Sequence, residues 1–106
     1  MKRIETTIPP CQFSEVKESL INLGVEEITV AEVKGFSREP YTEIYHGAQY
    51  SIDFLPKVLI QILAPDDDAE RVAQALVGAL QTGELCDSEV AITPVERLIR
   101  VRVGKC

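Results

Sequence analysis

Residues 58–80 have the sequence VLIQILAPDDDAERVAQALVGAL and contain both kinds of regular structure that the fold needs. The first six residues are apolar except for Gln61, which predicts a strand covered on at least one face. After Pro65, apolar residues return at helical spacings and predict one stripe, formed by Val72, Ala75, Leu76, Ala79 and Leu80. The acidic run 66–68 suits the positive end of that helix, and Thr82-Gly83 is predicted to end it.

The first 24 residues predict the same pair of elements, a strand followed by a helix. Lys2 to Ile8 places Ile4, Thr6 and Ile8 on one side, and Pro9-Pro10 ends the strand because two backbone donors are missing. Ser14 is the predicted N-cap of the following helix, and Gly24 the residue just beyond its end. The apolar stripe of this helix consists of Phe13, Val16, Leu20 and Leu23.

The rest of the chain completes the pattern. A second strand is predicted from Ile28 to Phe36, ending near Gly35, and a short one from Val90 to Ile92, interrupted by Pro94. Alternation predicts a last strand over Leu98 to Val103. The order indicates an α+β, ferredoxin-like βαββαβ sandwich, whose helices cover one face of an antiparallel sheet. The other face has no cover within the chain, which predicts a closed homo-oligomer.

Composition limits the function classes. The chain has 106 residues, which suits one domain over 1–106, and a formal net charge of −6, which disfavours nucleic acid as a partner. It has no apolar h-region of a signal peptide and no run of about 18 apolar residues, so we expect a cytoplasmic protein. The three cysteines form no CxxC pair and are expected to be free thiols: Cys11, Cys86 and Cys106.

Residues 37–56 form a long insert that fits neither the helical nor the strand period. It contains all three tyrosines and few aliphatic residues, so it is not expected to form a core of its own. A stretch of this length without regular structure in a small domain indicates function. Tyrosines at the tip of a projecting loop suit docking on a partner protein, and we expect that role for Tyr41, Tyr45 and Tyr50.

Four segments carry a resemblance to a known family: EVKGF at 32–36, YHGAQY at 45–50, DFLPKV at 53–58 and PDDD at 65–68. With them the chain resembles the nitrogen-regulatory PII signalling proteins over nearly its whole length. The resemblance implies a homotrimer that binds adenine nucleotides in the clefts between subunits. It also implies that the insert, the T-loop at about 37–56, regulates an enzyme, a transporter or a transcription factor.

By resemblance, one group of residues binds the nucleotide, with Gly35 allowing a ligand close to the backbone and Arg100 and Arg102 reaching the phosphates. The two arginines are two residues apart and so lie on one side of the predicted last strand, and the alternative for them is a solvated strand face or a salt bridge to the acidic surface. Lys57 matches a lysine that holds 2-oxoglutarate, or is an exposed residue at a strand start. Tyr50 matches a uridylylated tyrosine, but we favour a loop anchor packed on Phe54. The nucleotide group comprises Thr29, Gly35, Phe36, Ser37, Arg38, Cys86, Asp87, Ser88, Arg100 and Arg102.

The chain departs from the family pattern where the ligand's phosphates are expected. Cys86 and Ser88 replace glycines of a phosphate-binding turn, and Glu89 replaces a lysine, which reverses the sign of the Coulomb interaction. Glu39 replaces a glutamine that contacts 2-oxoglutarate. We therefore expect ADP or AMP to bind more tightly than ATP, without enhancement by 2-oxoglutarate, and a small anionic metabolite is a further candidate ligand.

Several function classes compete. The first is a PII-like regulator of a partner enzyme or transporter; an alternative is a PII-like sensor of bicarbonate or a regulator linked to metal transport. A second alternative is a trimeric protein of divalent-metal tolerance. We expect no enzyme, because the single histidine, His46, lies in the insert and no GxSxG, Walker or HExxH motif occurs. No bound metal is expected, and the adenine nucleotide is the expected ligand.

Overall fold

The computed structural model describes residues 1–36, 42–45, 48–51, 54–81 and 88–104, with the backbone alone over 42–45 and 48–51. A four-stranded antiparallel sheet in the order β2-β5-β1-β6 carries both helices, and β3 pairs with β4 inside the insert. This is the predicted ferredoxin-like arrangement. The elements are β1 (Lys2–Ile8), a 3₁₀ turn (Pro10–Gln12), α1 (Phe13–Leu23), β2 (Thr29–Gly35), β3 (Thr42–Tyr45), β4 (Ala48–Ser51), β5 (Leu55–Ala64), α2 (Ala69–Gln81) and β6 (Val90–Pro94).

The core lies between the helices and one face of the sheet. The predicted inward residues of β1 are buried, and so are alternate residues of β5. Fully burying one such aliphatic side chain contributes about 1.5–3 kcal/mol. The predicted apolar stripes of both helices supply the second layer of this core, whose largest fully buried side chains are Ile4, Ile8, Val16, Leu20, Ile60, Val72 and Leu76.

The end of α1 follows the sequence prediction, but its start does not. Gly24 has a φ of 97°, and its N–H donates to the Ile21 carbonyl at 3.0 Å. The predicted N-cap Ser14 is wrong, because α1 begins at Phe13 and continues directly from the 3₁₀ turn. Pro10, whose fixed φ suits the first helical position, starts that turn earlier than the polar residue suggested.

The insert and its flanks contain more regular structure than the sequence predicted. β3 and β4 form an antiparallel pair from Thr42 opposite Ser51 to Tyr45 opposite Ala48. β5 begins at Leu55, three residues before the predicted start of the strand. Pro56 is tolerated there because it lies beyond the last pair of β1 with β5, so the strand has a neighbour on one side only.

The predicted last strand over Leu98 to Val103 is wrong. These residues are described without regular secondary structure, and β6 ends at Pro94, the last residue of an edge strand. The alternating pattern is real, but within the described residues the segment has no strand beside it. Its apolar side chains are therefore exposed, Ile99 by 65% and Val101 by 76%.

The sheet face that points away from the helices, which we call the open face, has no cover within the described part of the chain. Register and alternation put Val33, Leu59 and Leu63 on it, together with polar residues. One polar pair is bonded, since the Gln61 Nε2 donates to the Glu5 Oε1 at 2.7 Å. The open face agrees with the sequence prediction, and the homo-oligomer stays a prediction. Within the described residues, neither helix has the length and apolarity needed to cross a membrane.

Candidate functional site

A cavity of about 320 Å³ lies on the open face, at the end of β5 nearest the insert. Thr7 of β1 and Leu59 of β5 are paired across the sheet and form part of its wall. Lys57, Ser88 and Glu89 also line the cavity, together with Glu5, so β1, β5 and the segment before β6 contribute its polar groups. The structure thus brings together two predicted site residues, Lys57 and Ser88, with the substituted position Glu89. The sequence did not predict Thr7 and Leu59 as residues of a site, because only the strand register shows that they lie beside Lys57.

Gly35 lies beside this cavity and contacts the Lys57 side chain. Val33 pairs with Lys57 and Gly35 with Leu55, so Gly35 and Lys57 are diagonal neighbours on the open face. A Cβ placed on Gly35 would lie 3.0 Å from both the Lys57 Cδ and Cε, and 3.6 Å from its Nζ. The lysine stem therefore crosses the end of β2, and its ammonium lies where the insert begins. Among the described residues, Lys57 has no ion-pair partner.

Thr29 lies at the other end of the open face. It pairs with Gln61, which is four residues further along β5 than Lys57. At about 3.3 Å per residue, that separation is about 13 Å along the strand. A single chain therefore does not bring Thr29 together with Gly35 and Lys57.

Arg100 lines a different cavity of about 290 Å³, beside the connection from α1 to β2. Acidic residues surround it there, Glu26 and Glu27 from the connection and Asp68 from the start of α2. Arg100 forms no ion pair with a described residue. Arg102 is exposed. The predicted placement of the two arginines on one side of a strand is wrong, because the segment is not a strand in this chain.

Arg71 pairs with one of the acidic residues of that second cavity, Asp68. Its Nε donates to the Asp68 Oδ1 at 2.6 Å and its Nη2 to the Oδ2 at 3.1 Å, while its Nη1 donates to the Leu23 carbonyl at 3.2 Å. The hydrogen bond from Arg71 lowers the pKa of Asp68, and the same bond raises the pKa of Arg71. These bonds of Arg71 join the start of α2 to the end of α1. The other cation of this cavity, Arg100, has no carboxylate partner among the described residues.

Two aromatic rings meet where the insert leaves the sheet. The Phe36 and Phe54 ring centroids are 5.7 Å apart, with an interplanar angle of 46°. Both side chains are exposed, by 58% and 60%. The predicted contact of Tyr50 with Phe54 is not described, because the side chains of β3 and β4 lie outside the described residues. Tyr45 and Tyr50 lie on β3 and β4, opposite Ala48 and Glu43.

Several predicted site residues lie outside the described residues: Ser37, Arg38, Glu39, Tyr41, Cys86 and Asp87. The predicted helix end at Thr82-Gly83 and the terminal Cys106 also lie outside them. Cys11 is an exposed free thiol. Within the described ranges, no group of three or more His, Cys, Asp or Glu side chains is arranged to hold a metal ion.

Comparison with known proteins identifies the family of this chain. The family model described as "Nitrogen regulatory protein P-II" matches residues 1–105. Proteins named nitrogen regulatory protein P-II from Rhizobium meliloti (strain 1021) and Azospirillum brasilense are each 45% identical to the chain over 106 residues, covering 99% of it and 95% of their own length. The P-II 1 protein of Escherichia coli (strain K12) is 42% identical with the same coverage.

Proteins of this family bind small-molecule effectors and act on partner proteins as regulators of signal transduction. The match extends over both ends of the open face and the insert between β2 and β5. The predicted resemblance is confirmed. The chain belongs to the nitrogen regulatory protein P-II family and is a signal-transduction regulator, not an enzyme.

Proposed function

We propose that this cytoplasmic protein works as a homotrimer whose clefts between subunits bind an adenine nucleotide, with ADP or AMP preferred to ATP. The whole chain acts as one domain, and the bound ligand sets the conformation of the T-loop at about 37–56. Through that loop the protein controls a partner enzyme or a membrane transporter. The family assignment supports this proposal over a divalent-metal-tolerance protein.

The observation that supports the proposal most directly is the distance between the predicted ligand-binding residues within one chain. Lys57, Ser88 and Glu89 line the cavity at one end of the open face, whereas Thr29 lies about 13 Å away along the sheet. Arg100 lies near the Thr29 end, beside the connection that leads into β2. By resemblance the nucleotide binds Ser88 at one end and Thr29 and Arg100 at the other, and this separation favours a cleft whose two ends come from different copies of the chain.

An interface that joins two different ends of a molecule is heterologous, and a heterologous interface closes into a ring when the rotation permits. A trimeric ring is the arrangement that the family resemblance implies. The exposed apolar side chains of the C-terminal segment, Ile99, Val101 and Val103, supply surface that such a ring would cover. This explains why a segment with a strand pattern is exposed in a single chain.

The charges of the cavity favour a ligand with few phosphates. One ammonium, Lys57, faces two carboxylates, Glu5 and Glu89, among the lining residues. Arg100 and Arg102 from a neighbouring copy would bring the balance to one net positive charge, from three cations and two carboxylates. With so small a positive surplus, each additional phosphate gains little attraction and is repelled by the nearby Glu89, so the affinity is expected to fall from ADP to ATP.

The same cavity also suits a second candidate ligand, a small anion such as bicarbonate. The observation that favours it is that one chain supplies a single ammonium, Lys57, against the two carboxylates Glu5 and Glu89, which is too little positive charge for a polyphosphate. In that case the chain is a PII-like sensor of inorganic carbon or a regulator linked to metal transport, with the same T-loop as its output.

Calorimetry with ADP, AMP, Mg-ATP and bicarbonate, with and without 2-oxoglutarate, tests the proposal. We expect ADP or AMP to bind more tightly than Mg-ATP, and 2-oxoglutarate to add nothing. Light scattering on the same samples is expected to give the mass of three chains. Tight Mg-ATP binding that 2-oxoglutarate strengthens contradicts the assigned ligand preference, and a monomer contradicts the shared cleft. Binding of bicarbonate alone selects the second candidate.

A further inference from the structure

The backbone conformation of Gly35 does not explain why this residue is a glycine. Gly24 needs its positive φ, whereas Gly35 is the last residue of β2 and is paired with Leu55 in a regular register. Any residue adopts extended backbone, and a glycine inside a strand weakens it because of its conformational entropy. The missing side chain at this position is therefore to be explained by what surrounds it.

Lys57 occupies the space that a side chain at position 35 would take. The Lys57 Cδ and Cε lie 3.0 Å from the Cβ position of Gly35. Optimal separations between carbon atoms are about 3.5–4.0 Å, so a real Cβ would push the lysine stem away. The Nζ is 3.6 Å from the same point, and the ammonium would move with the stem.

We infer that Gly35 is a positioning residue for Lys57. The bare strand end lets the lysine stem lie across β2 and holds the ammonium between the cavity and the start of the insert. This differs from the family expectation that the glycine admits a ligand to the backbone, since here the neighbouring space is filled by the protein itself. Only the effect on ligand binding rests on the proposed function; the effect on Lys57 does not.

A Gly35→Ala substitution is expected to leave the protein folded. The atoms it meets belong to a flexible, partly exposed lysine stem, which can rotate away, and alanine also restricts the unfolded chain relative to glycine. The substitution therefore separates the position of the ammonium from the stability of the fold. Gly78→Ala in α2 is the matched control, because nothing lies within 4 Å of its Cβ position.

Nuclear magnetic resonance of the lysine side chains and calorimetry with ADP test the inference. In Gly35→Ala the Cε and Nζ resonances of Lys57 are expected to shift, and the Kd for ADP to rise about threefold or more, as for coupled residues in contact. Gly78→Ala should change neither. In a Lys57→Ala background, adding Gly35→Ala should have no further effect on the Kd.

Unchanged Lys57 resonances in Gly35→Ala overturn the inference, and so does an equal loss of ADP affinity with and without Lys57. If Gly35→Ala fails to fold, restored folding in the double variant with Lys57→Ala supports the steric cause, and continued unfolding overturns it. If the resonances shift as expected but the unsubstituted protein binds no ADP, the positioning inference stands and the proposed nucleotide function fails.

Discussion

Glu89 provides a test of how the cavity selects its ligand. It lines the cavity with Lys57, and its side chain is exposed in the single chain. The Glu89→Lys substitution removes a negative charge and adds a positive one at the same place. If the ligand's phosphates lie within contact distance, this change should increase the affinity for polyphosphates.

The magnitude follows from Coulomb's law. Two unit charges about 4 Å apart interact by about 1 kcal/mol in a water-like environment, which is the appropriate limit for an exposed side chain. Replacing repulsion by attraction doubles the effect to about 2 kcal/mol, or about 30-fold in Kd. Mg-ATP should gain more than ADP, and AMP least, because the number of phosphates falls in that order.

Calorimetry at physiological and at high salt measures the effect, which should shrink at high salt as screening shortens the Debye length. Glu18→Lys is the control, since it makes the same charge change on the exposed surface of α1, on the helical side of the sheet. An unchanged affinity for Mg-ATP in Glu89→Lys, or an equal gain in Glu18→Lys, would refute the assignment of this cavity to phosphates.

Three further predictions concern the core, an ion pair and the assembly. Ile60→Ala, at a fully buried position of β5, should lower the free energy of unfolding by about 2–5 kcal/mol in urea titrations; a loss below about 1 kcal/mol contradicts the described core. Asp68 has a pKa lowered from 3.8 by Arg71, so its stabilising contribution is present above pH 3.8 and is lost as the pH falls through the lower folded value. Asp68→Asn should therefore reduce the fall in stability below that pH, and an unaltered acid profile speaks against the pair. Val101→Asp should convert the proposed trimer to smaller species in light scattering, because its side chain, 76% exposed in one chain, would be covered by a neighbouring copy. A variant that keeps the mass of three chains would show that no neighbour covers Val101.

The parts of the fold that depend on local physics could be predicted from the sequence. The apolar stripe of α2 and the left-handed Gly24 follow from periodicity and from the conformational freedom of glycine. The prediction that Ser14 is the N-cap of α1 was wrong because Pro10 starts a helical turn before it. The prediction of a strand over Leu98 to Val103 was wrong because a strand needs a neighbouring strand to pair with, and an alternating pattern alone does not provide one.

The candidate site was less predictable, because pairing between distant strands decides which residues meet. Thr29 and Gly35 belong to one strand and were assigned to one cleft by resemblance, yet they lie at opposite ends of β2. The contact of Lys57 with Gly35 depends on the register of β2 with β5, which no local pattern contains. Thr7 lines the cavity for the same reason, because its place beside Leu59 depends on the register of β1 with β5.

Mixing two inactive variants tests directly whether the cleft is shared between copies. Lys57→Ala damages one end of the open face and Arg100→Ala the other, so neither variant alone should bind ADP with normal affinity. After unfolding together and reassembly, about a quarter of the clefts in a randomly mixed ring should combine two intact ends and recover normal ADP affinity in calorimetry. If the mixture binds no better than its components while reassembly is complete, the two ends do not serve one shared cleft.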